Sequence, residues 1–435
     1  MKTITCPSKE VPVIAETQVL VVGSGPAGIS AAVASARCGA KTMLVERYGC
    51  FGGALFVGQV ESYTWYFNKN TYTARGISKE IEDRMIKIGG VQDDDRGCGH
   101  FLNPEKYKYM LDCWIQEEGI TPLLHTLVVD VIMEGKTVKG VIVENKSGRG
   151  AILADRIVDA TGDGDVAALA GAAYEKGENN NGKVLPVTMV FGVSGVDTKT
   201  FRDYIESHPE MTNPDTHGLK LPFRRAKADG KWPVERDGGA WKELTPTGEF
   251  TSLNLTLENG IDGTNVWDLT HAEIQGRQQV MWAVDVLRNY AKEMGFANCS
   301  LRSIAGQIGI RETRRIQGGY SICRRDVLGH SEFDDSIGVY TTFIDGEVVS
   351  KDDAHFQLPY RMILPNGIEN LSVAGRCASC DDDAIQTVRM MVCCATTGQA
   401  AGTASALSIK DDVVLRDLDI HTLQNQLVAD GVRIR

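Results

Sequence analysis

The sequence predicts an α/β fold: a parallel sheet flanked by helices, with a smaller α+β unit inserted into it. Three observations predict it. Within the first fifty residues a short apolar strand runs through a glycine-rich turn into an alanine-rich helix and a second apolar strand. Strands of the same kind recur near residues 156 and 370, each ending in a glycine-containing turn ahead of a helix. Between them lies a stretch of mixed strand and helix patterning, set off by the polar run Glu178-Asn179-Asn180-Asn181-Gly182.

Residues 17–22 (Thr-Gln-Val-Leu-Val-Val) read as the first buried strand. The turn Gly23-Ser24-Gly25-Pro26-Ala27-Gly28 follows, then a helix over 29–38 that Gly39 ends, then a strand over 41–45 closing on Glu46. The spacing has a physical reason. Gly23 allows the tight turn, Gly25 lets backbone approach a pyrophosphate, and Gly28 lets the helix pack on the sheet with its N-terminus toward phosphate charge. Glu46 lies about 20 residues on, where a carboxylate accepts from ribose hydroxyls. The order of strand, glycines, helix, strand and acid points to a dinucleotide.

The continuation Glu46-Arg47-Tyr48-Gly49-Cys50-Phe51-Gly52-Gly53 resembles the FAD-dependent oxidoreductases with a glutathione-reductase-like FAD domain. In that class an acid, a basic residue and a Gly-Gly pair follow the cofactor, and bare backbone fits where a side chain would collide. The resemblance implies a Rossmann-like FAD-binding domain (parallel sheet plus β-hairpin) with an inserted α+β substrate or cap domain, and FAD held non-covalently. It also implies further cofactor segments. The strand over 126–133 and its hairpin partner over 139–144 would bring Val128 or Val129 to the adenine. Ala160, Thr161, Gly162 and Asp163 resemble the second fingerprint of the class, with Asp165 expected to cap a helix near Val166. Asn370 to Gly375-Arg376 would be the last strand, and a long helix over 386–408 containing Gly398 would present N–H groups to the cofactor. More narrowly, residues 309–315 (Gly-Ile-Arg-Glu-Thr-Arg-Arg), 357–361 (Gln-Leu-Pro-Tyr-Arg) and 374–376 (Ala-Gly-Arg) resemble a bacterial FAD-dependent oxidoreductase family. That family implies fold and cofactor, not substrate.

The domains expected are 1–177 and 301–412 for the two parts of the FAD-binding domain, 178–300 for the substrate or cap domain, and 413–435 for a C-terminal helical tail. Within the cap, residues 187–193 and 250–256 read as strands and 269–294 as a long helix. Trp232, Pro233, Arg236, Gly238-Gly239 and Trp241 lie in an irregular stretch that reads as a mobile lid or a plain surface loop.

Catalytic candidates are Arg311, His355, Tyr360 and Arg361. Arg311, with Arg314 and Arg315, would clamp a substrate carboxylate, or else pair with Glu312, Asp326 or the FAD phosphates. His355 is the preferred base, with His100, in Gly97-Cys98-Gly99-His100, and His271 as rivals. The leading reading is hydride transfer between flavin N5 and a small organic substrate, anionic if the arginines face it. Cys377-Ala378-Ser379-Cys380 leaves a second reading open, a flavin-dependent thiol–disulfide reductase. An electron-relay subunit of a complex is a third.

Bulk properties agree with a soluble enzyme. The 435 residues suit two or three domains. The net charge of −11 argues against a nucleic-acid surface. The 11 cysteines form no regular framework and no zinc-type set, so reduced thiols, no metal and a cytoplasmic location are expected. The apolar run over 19–36 contains the glycine turn, so no membrane span is expected there, and the polar first ten residues show no signal peptide. Expected partners are the small-molecule substrate and an electron acceptor or donor of open identity. A homo-oligomer is left open, and no nucleic acid or membrane is expected.

Overall fold

A central parallel strand must be apolar on both faces, and residues 19–22 are: all four are buried in β1 (Val13–Val22). The computed structural model describes residues 2–5, 8, 10–64, 67–68, 71–72, 75–93, 99–208, 219–344, 347–348 and 354–435. Gly97 and Cys98 lie outside them. From β1 the chain passes through the glycine turn into α1 (Pro26–Arg37) and β2 (Thr42–Val45). Then come α2 (Ala54–Val57), α3 (Ile77–Lys87) and α4 (Pro104–Glu117), with a small antiparallel sheet of residues 62–64, 99–102 and 91–93 among them. The strands β3 (Thr121–Leu123), β4 (Leu127–Glu134), β5 (Thr137–Asn145) and β6 (Gly148–Asp159) lead to α5 (Asp165–Leu169).

The chain then enters the insert: β7 (Phe191–Ser194), β8 (Ala240–Leu244), β9 (Phe250–Asn254), the long α6 (Val266–Tyr290) and β10 (Ser300–Ile304). It returns through β11 (Leu371–Val373), α7 (Ile385–Val388), α8 (Met391–Lys410) and α9 (Ile420–Ala429).

The main sheet runs β3-β2-β1-β6-β5-β4, and β11 adds beside β6. Strands β3, β2, β1, β6 and β11 are mutually parallel neighbours. β6 serves two arrangements. Its first half pairs antiparallel with β5 in the hairpin; Ile157 to Asp159 pair in parallel with Leu371 to Val373. This is the expected Rossmann-like α/β sheet with a β-meander. α1 and α8 pack together on one face within the largest apolar cluster.

The insert has its own antiparallel sheet, in the order β8-β9-β7-β10, and its own apolar cluster reaching from Val187 to Ile308. β10 pairs antiparallel with β7 in this sheet. The stretch read as irregular is packed. Trp232 is buried, its indole N–H donates to the Arg236 carbonyl at 2.6 Å, and its ring meets Phe223 edge-on. Residues 240–244 form β8 rather than a lid. The helix expected over 386–408 is broken: Met390, extended at ψ 139°, separates α7 from α8. Among the described residues no helix is long and apolar enough to cross a membrane, and no group of three His, Cys, Asp or Glu side chains could hold a metal ion.

Candidate functional site

The site grows from the end of β1. Gly23 adopts φ +92°, which a side-chain-bearing residue resists, and its N–H donates to the Val45 carbonyl at 2.8 Å. A Cβ there would lie 2.5 Å from the Ala160 carbonyl oxygen. Glu46, only 5% exposed, grips the turn from inside. One carboxylate oxygen accepts from the Ser24 N–H at 2.9 Å and the Ser24 hydroxyl at 2.6 Å; the other accepts from the Tyr48 N–H at 3.0 Å. A carboxylate has about four acceptor positions, so one remains for a ribose hydroxyl. Gly52 donates to the Ser24 carbonyl at 3.0 Å, and a Cβ on Gly53 would lie 2.7 Å from the Gly25 Cα. The Gly-Gly pair thus lies backbone on backbone against the turn.

Pro26 opens α1, where a missing N–H costs nothing, and the N–H groups that follow are those a helix N-terminus offers to an anion. Ala27 is held from the far end of the chain. Gly375 and Gly398 would place a Cβ 2.9 Å from the Ala27 Cβ and 2.0 Å from the Ala27 carbonyl oxygen. Gly28 is equally tight against Gly23. The start of β4 joins through Thr126, whose N–H donates to the Glu46 carbonyl at 2.9 Å; Val129, half-buried, follows on that strand.

The second fingerprint is built on Asp159, fully buried, which accepts from the Thr161 N–H at 3.1 Å, the Thr161 hydroxyl at 2.7 Å and the Ala167 N–H at 2.8 Å. Burial pushes its carboxyl up to about 6 despite those donors. Ala160 donates to the Val22 carbonyl at 2.8 Å, and Ala374 to the Asp159 carbonyl at 2.9 Å. The residue capping α5 is Gly164, left-handed at φ 64°, and not Asp165. Asp165 instead takes Arg314 Nη1 at 2.8 Å. Asp163 accepts from Arg376 at 2.7 Å and from the Thr313 hydroxyl at 2.9 Å, and its carbonyl accepts from Arg314 at 3.0 Å. Gly162 lies against the Arg376 guanidinium. Arg47 stacks over Tyr48 at 4.8 Å. Burial pulls its guanidinium down, but Tyr48, Asp163, Glu46 and Asp165 outweigh it and hold it charged.

The cofactor candidates thus converge at the C-terminal edge of the parallel strands, where a ligand of such a sheet binds. The catalytic candidates do not join them. Arg311 donates to the Pro186 carbonyl. Arg315 is buried, paired with Glu312, and donates to the carbonyls of Cys380 at 3.1 Å and Gly177 at 3.0 Å. Tyr360 is buried and donates its hydroxyl to the Leu415 carbonyl at 2.8 Å. Arg361 lies 5.0 Å over the Tyr320 ring and 3.7 Å from Asp335. The His355 ring sits 3.5 Å from the Arg433 guanidinium. Among the described residues, the partners of His355, Tyr360 and Arg361 belong to the C-terminal segment and to residues 320–335, not to the glycine turn. His271 is exposed on α6, and His100 is held on the buried carboxylate of Glu82. Cys377 and Cys380 are free, buried thiols pushed far up by burial, the opposite of an activated thiolate.

Ser24 and Thr313 are not among the cofactor residues read from the sequence, and Arg314, for which pairing with the FAD phosphates is one reading, pairs with Asp165. Ser24 was legible as the turn residue facing Glu46. Thr313 and Arg314 bond to Asp163 and Asp165 across about 150 positions (|i−j| of 150, 151 and 149), a distance no local pattern crosses.

The residues fit FAD. At Gly25 and Gly53 two backbones lie side by side with no side chain between them, and free helix N–H groups and one open carboxylate position stand next to them. The chain matches the FAD dependent oxidoreductase family over residues 18–427. It is similar to the thiamine thiazole synthase of Aeropyrum pernix, 31% identical over 159 residues, which are 34% of this chain and 54% of that protein. It is also similar to the dihydrolipoyl dehydrogenase of Buchnera aphidicola, 55% identical over 49 residues, 11% of this chain and 10% of that one. The chain therefore spans about half, or less, of the curated relatives it matches. Among solved structures, a geranylgeranyl bacteriochlorophyll reductase-like protein from Thermoplasma acidophilum aligns with a TM-score of 0.47 at 13% identity, over 96% of this chain and 84% of that chain. With its family match running from the first strand to the last helix, this chain belongs to the FAD dependent oxidoreductase family and is an enzyme whose cofactor is FAD.

Proposed function

We propose that the chain oxidises or reduces a small organic molecule by hydride transfer, with FAD bound non-covalently in a glutathione-reductase-like arrangement. The observation that carries this is the bare-backbone contact of Gly25 with Gly53 beside the N-terminus of α1. When bound, FAD supplies hydride acceptance and donation at its ring nitrogen N5. The protein's residues orient and charge-balance it. The α1 N–H groups face the pyrophosphate, Glu46 keeps one acceptor for a ribose hydroxyl, and Arg47 keeps its positive charge near the same turn. The Asp163–Arg376 pair ties the second fingerprint to the last strand, so both halves of the cofactor domain close together.

Non-covalent binding is favoured by Cys50, the cysteine of the Gly-Gly stretch: burial pushes its thiol up to about 11, leaving little thiolate for attachment. The described cysteines are all free, which fits a reducing, cytoplasmic setting. With one dinucleotide turn legible in the chain, the second electron partner docks from solution.

The test is anaerobic: the oxidised FAD-loaded protein is mixed with small alcohols, hydroxy acids and sugars, and the photoreduced protein with oxo acids, enoic acids and quinones. Bleaching of the flavin by a member of the first set, or its reoxidation by a member of the second, is expected. A protein that stays colourless after reconstitution with FAD overturns the proposal, and yellow colour in an acid-precipitated pellet overturns the non-covalent part.

A further inference from the structure

Beyond the Gly-Gly pair and α2, the chain crosses onto the inserted sheet, and it is stitched down at three points. The Gln307 N–H donates to the Val57 carbonyl at 2.9 Å, the Ser252 hydroxyl to the Gln59 carbonyl at 2.9 Å, and the Thr251 hydroxyl to the Glu61 carboxylate at 2.6 Å. In the middle of these ties Gln59 adopts φ +49°, a left-handed conformation that residues other than glycine rarely take and that clusters where function holds it. Its side-chain oxygen is buried with no hydrogen-bond partner. A second orphan lies on the same sheet: the Ser303 hydroxyl of β10, buried and unpartnered. Ser303 pairs across to Gly192 of β7, where a Cβ would lie 2.9 Å from that hydroxyl oxygen. Native proteins rarely leave buried polar atoms unpaired, and each exception needs a cause, of which a bound group is one.

We infer that Gln59 and Ser303 hydrogen-bond the substrate at the seam between the cofactor domain and the insert, and that the group recognised is a neutral hydroxyl or amide rather than a carboxylate. The inference rests on the substrate reading above and deepens it. An alcohol offers both functions needed: it donates to the Gln59 oxygen and accepts from the Ser303 hydroxyl. Charge argues the same way. Glu61, buried two residues from Gln59, would repel an anion. The arginines suited to clamp a carboxylate are engaged elsewhere: Arg314 with Asp165, Arg315 with Glu312 and Arg311 with the Pro186 carbonyl.

The test titrates FAD-loaded protein with matched sets, namely benzyl alcohol, benzamide and benzoate, and glycolamide and glycolate, following the visible flavin spectrum. A neutral member should perturb the flavin, and the carboxylate of the same skeleton should bind at least about tenfold more weakly. In Gln59→Gly and in Ser303→Ala the neutral ligand should weaken about threefold to tenfold, the scale of one neutral hydrogen bond. Glycine accepts φ +49° without strain, so Gln59→Gly should melt no lower than the wild type, which separates lost recognition from lost fold. Tighter binding of the carboxylate, silence from every neutral member, or unchanged affinity in both variants overturns the inference. A wild-type protein that fails to load FAD overturns the cofactor-based reading beneath it instead.

Discussion

The contact between α1 and α8 should be intolerant of a single methyl group. Gly398 and Gly402 are four residues apart and so share one face of α8. An added Cβ would meet the Ala27 carbonyl oxygen at 2.0 Å and the Ala31 carbonyl oxygen at 2.1 Å, where ordinary contact begins at 3.4 Å. Gly398→Ala therefore forces the helices about 1.4 Å apart (3.4 minus 2.0), because the obstacle is backbone and cannot rotate away. Overpacking of this kind costs about 1–3 kcal/mol. The gain of about 1 kcal/mol from replacing a helical glycine offsets only part of the upper end of that range, which leaves a net loss of about 2 kcal/mol. Ala27 is the second residue of α1, so the cofactor end of the helix moves too, and FAD should bind at least about tenfold more weakly. Chemical denaturation with and without FAD measures both effects. Adding Gly402→Ala should cost less than it does alone, since the helices are already apart. A Gly398→Ala protein with the wild-type denaturation midpoint and wild-type FAD affinity refutes the reasoning, as does strict additivity in the double variant.

Glu46→Gln leaves one oxygen for the donors of Ser24 and Tyr48 and aims an NH₂ at one of them; losing a charge-assisted bond of about 1.5–3 kcal/mol should raise the FAD dissociation constant tenfold or more, read from released-flavin fluorescence. Asp159 ionises near 6 when folded against 3.8 when free, so between those values the folded protein holds a proton that the unfolded chain has released. Stability from this group is full below the lower value and lost as pH rises through the upper one, by about 3 kcal/mol. Urea midpoints taken from about pH 4 to pH 7 should show this fall in the wild type and lose it in Asp159→Asn; equal slopes contradict the assignment. Arg315→Met strands the buried Glu312 carboxylate and should cost about 3–5 kcal/mol. Adding Glu312→Gln should recover part of that loss, and a neutral single variant in the same denaturation assay would count against a buried pair.

What the sequence disclosed were features whose rules are local. The turn at residues 23–28 is legible because strand, glycine spacing and helix are consecutive, and the hairpin of β4 and β5 because its turn sits between alternating strands. The partners of the arginines were not legible. Arg315 reads like a free cation beside a cofactor until Gly177, Glu312 and Cys380 are seen to enclose it. Tyr360 follows Pro359 in a motif shared with the resembled family, yet its hydroxyl serves the Leu415 carbonyl, a contact decided by tertiary packing. The break before α8 escaped because neither Arg389 nor Met390 is a helix breaker by propensity. Gln59 escaped for the same kind of reason: no residue type signals an orphaned oxygen or a left-handed backbone.

The grip of distant residues on the first helix has a consequence for biosynthesis. The Ile77 N–H at the head of α3 is held by the Gln399 side chain at 2.8 Å, across 322 residues, and Ala27 waits for Gly375 and Gly398 as well. At about 5–20 residues per second the ribosome needs roughly 16–64 s to add that much chain. Through that interval the glycine turn has emerged without the segments that close it. Flavin is thus acquired only once α8 has emerged, and a ribosome stalled before α8 leaves a fragment with half a nucleotide site and an uncovered alanine-rich face for chaperones to guard.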